Sequence, residues 1–392
     1  MSEQRTALYE AHERLGARFT DFGGWTMPVR YASDTAEHHA VRRGAGIFDL
    51  SHMGEVSVSG PQAGAFLDYA LVGVLSGLTV GRAKYSIIVD EQGRILDDLI
   101  TYRTDEDEYL VVPNAGNQET VVRALQERAQ GFDVRVTDNG PATSLIAVQG
   151  PRALEVLEAT RLEPAEDVAA LKYYACVRAR CADVAVLVAR TGYTGEDGFE
   201  LYCDNQDAPV LWDALLATAA ELGTEEAPVG AAGLAARDSL RLEAGMPLYG
   251  HELSTEITPV EAGLGKLVEI ALRKKAEAGT TTVGEEVLAA MLEGTPERTL
   301  IGLEGLGRKP VRAGYTVHVG ERTVGEVTSG LPSPTLGKPV AMALVATDAV
   351  DGIDAGEVSV QDARGRAVEV TRTALPFYKR SLRVVWGASR PE

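Results

Sequence analysis

Two adjacent aspartates, Asp97 and Asp98, stand inside an apolar run, Gly93-Arg94-Ile95-Leu96-Asp97-Asp98-Leu99-Ile100-Thr101-Tyr102. Aspartate is depleted from strands, and a carboxylate set into an apolar wall loses hydration. Successive strand side chains point to opposite faces, so the two acids are expected to do different jobs. One should face a pocket and the other water or a turn. A carboxylate held in an apolar pocket is suited to engage a nitrogen or its proton.

Four other stretches carry chemistry-bearing residues. Arg190-Thr191-Gly192-Tyr193-Thr194-Gly195-Glu196-Asp197-Gly198-Phe199-Glu200 is the densest glycine cluster. Read alone it is first a hairpin loop, and it lacks the Lys-Ser/Thr ending of a phosphate loop. Glu200 falls on the strand face opposite Phe199, where a carboxylate can accept two parallel hydrogen bonds from an amidine-like edge such as a pterin's. Arg237 and Arg241 lie four apart on one helix face, read first as a solvated stripe paired with Asp238 or Glu243 and second as a clamp for an anionic tail. In Ser51-His52-Met53-Gly54 the histidine reads as structural and Met53 as adaptable apolar lining. Asn114 ends a strand and can meet a polar ligand atom, whereas Asn117 reads as a helix cap.

These residues need elements to hold them. Period-two runs predict strands over 54–59, 85–89, 95–102, 109–112, 144–148 and 184–189. Helices are predicted over 5–20, 118–130, 210–222 and 230–244, the last closed by Gly245. Six short runs at 299–304, 315–319, 323–329, 341–346, 357–360 and 367–371, separated by Gly, Pro and Asp turns, predict a small β-barrel. The fold class is α+β. A region of two lobes spans 1–270, a connector 271–297 and the barrel unit 298–385.

Composition narrows the function. The 392 residues carry a formal net charge of −19, which argues against nucleic acid as a partner. No apolar run is long enough to span a bilayer, and Met1-Ser2-Glu3-Gln4-Arg5 lacks the layout of a signal peptide, so a cytoplasmic protein is expected. Cys176, Cys181 and Cys203 form no CxxC pair and read as small buried apolar residues. The adjacent His38-His39 do not suit a metal site, and none is expected.

Taken in order, the motifs resemble one family, the glycine cleavage T-protein (aminomethyltransferase). The resemblance runs through Asp21-Phe22-Gly23-Gly24-Trp25-Thr26-Met27-Pro28, Phe48-Asp49-Leu50-Ser51-His52-Met53-Gly54, the Asp97-Asp98 strand and Gln149-Gly150-Pro151. It continues through the 190–200 loop, 233–241 with Gly245-Met246-Pro247-Leu248-Tyr249-Gly250, Gly325-Glu326-Val327-Thr328-Ser329-Gly330 and Pro376-Phe377-Tyr378-Lys379-Arg380. It implies three domains in a cloverleaf around a folate channel. It also implies transfer of a one-carbon unit to tetrahydrofolate, with release of ammonia, from the lipoyl arm of H-protein, in a system shared with P- and L-proteins. Carried over by position, Asp98 is the catalytic carboxylate and Asp97 its neighbour. Met53, Tyr85, Tyr102, Val112, Asn114, Tyr193, Glu200, Arg237 and Arg380 bind the folate. The chain departs from the family at Lys266 and at Thr281-Thr282-Val283-Gly284, which affects the contact between the middle and last domains.

Two rivals share the folate pocket. A folate-dependent demethylase of a small methylated amine or sulfonium compound needs no lipoyl partner. A non-catalytic folate-binding protein of iron–sulfur assembly carries Lys-Gly-Cys-Tyr-x-Gly-Gln, whereas this loop reads Thr191-Gly192-Tyr193-Thr194-Gly195-Glu196 with no cysteine.

Overall fold

A computed structural model describes residues 4–380; Met1–Glu3 of the N-terminal stretch and residues 381–385 of the expected barrel unit lie outside them. Three sheets and a hairpin organise the chain. A five-stranded antiparallel sheet runs in the order Ala83–Val89, Ile95–Asp105, Glu108–Pro113, Val56–Ser59, Arg135–Asp138. A six-stranded sheet runs Cys176–Cys181, Val184–Ala189, Gly198–Asp204, Thr143–Gln149, Ala45–Asp49, Val229–Ala231, the last pair parallel. The last quarter closes into a barrel of six strands: Arg298–Gly305, Pro339–Ala346, Arg322–Pro332, Thr316–Val319, Val358–Gln361 and Ala367–Thr373. All six barrel strands predicted from the turn spacing are present.

Each sheet has its own core. Phe199, Leu201, Val148 and Ile47 of the six-stranded sheet pack on Trp212 and Leu215 of the helix Ala208–Leu222. Val56, Val111 and Leu99 of the five-stranded sheet pack on Phe66 and Leu67 of the helix Ala63–Ala70, and on Val121 and Leu125 of the helix Gln118–Arg128. The barrel is filled by Val317, Val327, Ala343, Val345 and Val360. A fourth cluster, with Phe48, Leu50, Tyr102, Val112, Tyr202 and Leu240, lies between the first two sheets and beneath the helix Leu234–Glu243. The functional residues collect there.

The helix predicted over 5–20 is shorter, Tyr9–Arg14. Gly16 stands at φ +70°, and Arg18–Phe22 then forms a hairpin with Trp25–Arg30 around Gly23 and Gly24 at φ +61° and +90°. In Arg18-Phe19-Thr20-Asp21-Phe22 the two half-buried residues, Phe19 and Phe22, are three apart, a spacing that reads as helix and hides the strand. The helix predicted from residue 230 begins at Leu234, because Val229–Ala231 pairs with Ala45–Asp49 first. Gly233 caps it, its N–H donating to Glu37 Oε2 at 2.9 Å; a Cβ there would lie 2.4 Å from the Val29 carbonyl oxygen.

The segment after Leu264 folds as two helices, Gly265–Ala278 and Glu285–Glu293, packed through Val268, Ala271 and Leu288 on Val72, Ile87 and Val89. It satisfies the C-terminal carbonyls of the helix Ala63–Ala70. The buried Lys275 ammonium donates to Asp68 O and to Leu71 O, and Thr282 Oγ1 donates to Tyr69 O at 3.2 Å. Arg128 donates to Ala70 O at 2.7 Å from the other side. Helix ends leave such carbonyls open unless something caps them, and this departure from the family pattern supplies the cap.

Buried carboxylates tie the barrel to the body, Glu243 with the most partners and Glu252 accepting from Thr328 Oγ1 at 2.5 Å. Glu243 Oε1 accepts from Ser333 Oγ at 2.5 Å and Thr335 N at 3.0 Å. Its Oε2 accepts from Arg42 at 2.8 Å and lies 3.3 Å from His38 Nε2. The predicted Arg237–Arg241 stripe divides here. Arg241 is buried, bridges Asp238 and Glu252, and donates to Ser329 of the barrel at 2.8 Å; Arg237 turns to the space between the sheets.

Candidate functional site

Strand register builds one wall of the site. Tyr85 pairs with Ile100, Ile87 with Asp98, and Ile100 with Val112. Directly opposed residues share a face, so Tyr85, Asp98, Ile100 and Val112 present their side chains to the same side. The Tyr85 hydroxyl donates to Asp98 Oδ2 at 3.1 Å. The ladder stops at Leu99 opposite Pro113, and the next residue, Asn114, arrives beside both aspartates. Asn114 Nδ2 donates to Asp98 Oδ1 and to Asp97 Oδ1, each at 2.8 Å, and to the Asp98 carbonyl at 3.0 Å. Its backbone N–H donates to Asp97 Oδ2 at 2.8 Å. Asn117 heads the following helix, but its side chain makes no cap; Nδ2 donates instead to Asp97 Oδ1 at 2.7 Å.

The facing wall comes from the six-stranded sheet. Along Gly198–Asp204, Phe199 and Leu201 enter the core, while Glu200 and Tyr202 turn to the cavity. Glu200 Oε2 accepts from Thr191 Oγ1 at 2.5 Å and from the Tyr102 hydroxyl at 3.3 Å, and its Oε1 accepts nothing from a described residue. Tyr193, on the glycine-rich loop, donates to Pro247 O at 2.5 Å, and the Arg237 guanidinium lies over its ring at 4.7 Å. Arg237 Nε is buried without a partner among the described residues.

Asp98, Met53, Tyr85, Val112, Asn114, Tyr193, Glu200 and Arg237 thus line one cavity of about 280 Å³, with Leu50, Tyr174, Tyr202, Met246, Pro247 and Leu264 adding to its wall. Three residues expected there stand elsewhere. Asp97 is fully buried behind the wall, where the strand's alternation and three amide donors turn it away. Tyr102 is fully buried behind Glu200, its hydroxyl 2.9 Å from Thr191 Oγ1. Arg380 lies outside the cavity, Nη1 3.7 Å from Asp197 Oδ1 of the loop. Of the cavity residues not named from the sequence, Tyr202 follows from Glu200 by strand alternation. Met246 and Pro247 come from an irregular loop, and Tyr174 holds a left-handed backbone, φ +60°, that its residue type does not announce.

Burial sets the charges. It pushes the Asp98 carboxyl up to about 6, against the hydrogen bonds from Tyr85 and Asn114 and the nearby Arg237 charge, which hold it down. Burial, then the Asp98 charge, push Asp97 up to about 7, while the Asn117 and Asn114 donors oppose. Burial also raises Glu200 and lowers Arg237 from their ordinary values. At neutral pH Asp98 is therefore ionised and close to its titration range. His52 is fully buried, edge-on to Phe22 with ring centroids 5.3 Å apart, and burial drives its pKa down to about 3. It is a neutral core residue, in line with the structural reading of the sequence. The three cysteines are buried and free. No cluster of potential metal ligands occurs among the described residues, and no helix among them is long and apolar enough to cross a membrane.

An apolar cavity between two sheets, with a carboxylate on each facing wall and an arginine over a tyrosine at its edge, defines a small-molecule site of the kind that grips a polar heterocycle. Two family models cover the chain: the GCVT N-terminal domain over residues 8–272 and the glycine cleavage T-protein C-terminal barrel domain over residues 298–379. The chain belongs to the glycine cleavage T-protein family. It is 52% identical over 394 residues to an aminomethyltransferase of Corynebacterium jeikeium, covering 96% of this chain and 98% of that one. It is 52% identical over 381 residues to an aminomethyltransferase of Streptomyces avermitilis, with 96% and 98% covered. Its structure superposes on the glycine cleavage system aminomethyltransferase T of Bartonella henselae with a TM-score of 0.85 at 35% identity, over 96% of this chain and 99% of that one.

Proposed function

We propose that this chain, an aminomethyltransferase by family, binds tetrahydrofolate in the cavity between its two sheets, and that Asp98 performs the chemistry there. The aminomethyl group arrives on the lipoyl arm of H-protein in the cytoplasm. The observation that carries the reading is the pair of carboxylates, Asp98 and Glu200, on opposite walls of one apolar cavity. Its volume, about 280 Å³, lies just below the ~300–1,000 Å³ typical of ligand clefts.

The residues fit a reduced pterin. Glu200 has one oxygen committed to Thr191 and Tyr102 and the other uncommitted, so it can accept from an amidine-type N–H edge. Met53, Val112 and Leu50 offer apolar faces to a ring. Arg237 and Tyr193 stand at the same cavity and suit the polar remainder.

When bound, tetrahydrofolate supplies two amine nitrogens, N5 and N10, that take up the carbon. Overall, one aminomethyl thioether and tetrahydrofolate give one thiol, one ammonia and 5,10-methylenetetrahydrofolate, with hydrogens balanced. Asp98 provides a fixed negative charge where the carbon and its nitrogen become electron-poor, an arrangement that needs no reorganisation during the reaction. Tyr85 and Asn114 hold the two Asp98 oxygens in place. With its pKa near 6, the same carboxylate can accept the proton released at N5 and pass it on. Enclosure by the two sheets holds carrier and acceptor together, which turns a two-body encounter into a positioned one.

The test is formation of ammonia and methylenetetrahydrofolate from aminomethylated H-protein, with and without tetrahydrofolate. Release of both only when tetrahydrofolate is present is expected. Equal ammonia release without it, or turnover of a free methylated amine in place of the loaded H-protein, would overturn the proposal.

A further inference from the structure

Asp97 does not reach the cavity, yet it is the more heavily hydrogen-bonded of the two acids. Its Oδ1 accepts from Asn114 Nδ2 at 2.8 Å and Asn117 Nδ2 at 2.7 Å, and its Oδ2 accepts from the Asn114 backbone N–H at 2.8 Å. Every partner is a donor, which favours the ionised form, in which both oxygens accept and no carboxyl proton is left without an acceptor. The consequence falls on Asn114. Its Nδ2 has three acceptors, Asp97 Oδ1, Asp98 Oδ1 and the Asp98 carbonyl, which leave the amide no alternative orientation: a flip would set its oxygen against three oxygens. Asn114 Oδ1 accepts no hydrogen bond from a described residue and is not sealed away from solvent, on a residue that lines the cavity. A neutral acceptor thus stands next to the Asp98 carboxylate on one stretch of wall.

Two adjacent acceptors, beside donors already committed to the acids (the Tyr85 hydroxyl and Asn114 Nδ2), suit a nitrogen carrying several N–H bonds. They do not suit an ether, a thioether or a methyl group. The carbon that is transferred arrives bearing one such nitrogen, which departs as ammonia. We infer that Asn114 Oδ1 and the Asp98 carboxylate together form the subsite for the departing amino nitrogen, and that Asp97, with Asn117, is a positioning residue that fixes the Asn114 amide for this purpose. The inference rests on the transfer reaction proposed above. It assigns Asn114 to the nitrogen rather than to the folate ring, and removes Asp97 from the groups that touch reactants.

The test uses the reaction run backwards, in which the full-length enzyme joins ammonium, 5,10-methylenetetrahydrofolate and dihydrolipoyl H-protein. Asp97→Asn keeps the shape but puts an amide against three donors, so one of them must lose its acceptor and Asn114 must shift. Removing an acceptor from a charged hydrogen-bond set of this kind corresponds to about a 10-fold loss or more. The expected result is an ammonium KM raised about 10-fold or more, with tetrahydrofolate affinity, read by titration calorimetry, changed by less than about 3-fold. Asn117→Leu removes one donor to Asp97 without touching the cavity and should raise the ammonium KM by a smaller factor in the same direction. If Asp97→Asn does not fold, that second variant carries the test. An unchanged ammonium KM in a folded variant, or a parallel loss of folate affinity, overturns the positioning role. A wild-type enzyme that forms no aminomethyl H-protein from ammonium overturns instead the reaction on which the inference depends.

Discussion

Replacing Asp98 with Asn separates charge from shape at the centre of the site. Asp98 Oδ1 accepts from Asn114 Nδ2 at 2.8 Å and Oδ2 from the Tyr85 hydroxyl at 3.1 Å. An asparagine can keep its oxygen toward Asn114 and donate its own N–H to Tyr85, because a phenol accepts as readily as it donates. The cavity keeps its form, and tetrahydrofolate affinity should stay within about 3-fold, since no pterin contact assigned to Glu200, Tyr193 or Arg237 is removed. Turnover should not survive. Loss of one preorganised electrostatic partner of a transition state costs roughly 10²–10³-fold in kcat, about 3–4 kcal/mol. Stability should move the other way. The folded-state pKa of Asp98, about 6, lies above the ordinary aspartate value, so this group favours folding when protonated and opposes it as pH rises toward and through 6. At pH 7.5 the full penalty is in force. Raising an aspartate from its ordinary value to this one costs the ionised fold about 3 kcal/mol. Because Asp98 faces an open cavity, the gain in Asp98→Asn should be nearer about 1–2 kcal/mol. The assay is single-turnover release of ammonia from aminomethylated H-protein, beside calorimetric folate binding and a thermal melt. Near-normal turnover with intact folate binding would refute the catalytic role. A fall in stability together with activity would show that Asp98 holds the fold rather than the reaction.

Other outcomes follow from the same geometry. The kcat/KM of the wild type should fall on acidification below about pH 6, as Asp98 takes up a proton, and this limb should be absent from the residual activity of Asp98→Asn in a pH-rate series. Glu200→Gln should weaken tetrahydrofolate binding by about 10–100-fold in calorimetric titration, with kcat at saturation little changed, because it replaces a charged acceptor by a neutral one away from the transferred carbon. Glu243→Ala should destabilise the protein by about 3 kcal/mol in chemical denaturation, since Arg42 keeps only Glu196 of its two carboxylate partners and Ser333 and Thr335 of the barrel lose their acceptor. Lys275→Met should lower stability with no effect on kcat, as the helix Ala63–Ala70 loses its cap more than 200 positions away in sequence.

Local pattern reaches much of this arrangement. Asp98 in an apolar strand, Glu200 opposite Phe199 and the six barrel strands are all legible, because each depends on a period of two and on turn residues. Asp97 is legible only as different from Asp98. Its partners Asn114 and Asn117 stand beyond the end of the neighbouring strand, and only the register Leu99 to Pro113 brings them in. Arg237 and Arg241 share a helix face in sequence, yet one lines the cavity and the other is buried against Glu252 and Ser329 of the barrel, a separation that depends on how three bodies meet. Tyr193 and Glu200 reach the same cavity although one lies on a loop, since Gly192 passes beside Gln149 where a Cβ would meet the amide at 1.9 Å. The helix expected over 5–20 is cut short at Gly16, φ +70°, and the strand beyond it stays hidden because Phe19 and Phe22 keep a helical spacing of three.

The most direct measurement is a crystal structure of the full chain with 5-methyltetrahydrofolate. The account requires the pterin between the two sheets, its N–H edge on Glu200, and Asp98 within about 2.6–3.2 Å of N5 or one water away. A pterin bound outside this cavity, or Asp98 swung away from it while Asn114 keeps its hold on Asp97, would contradict the account.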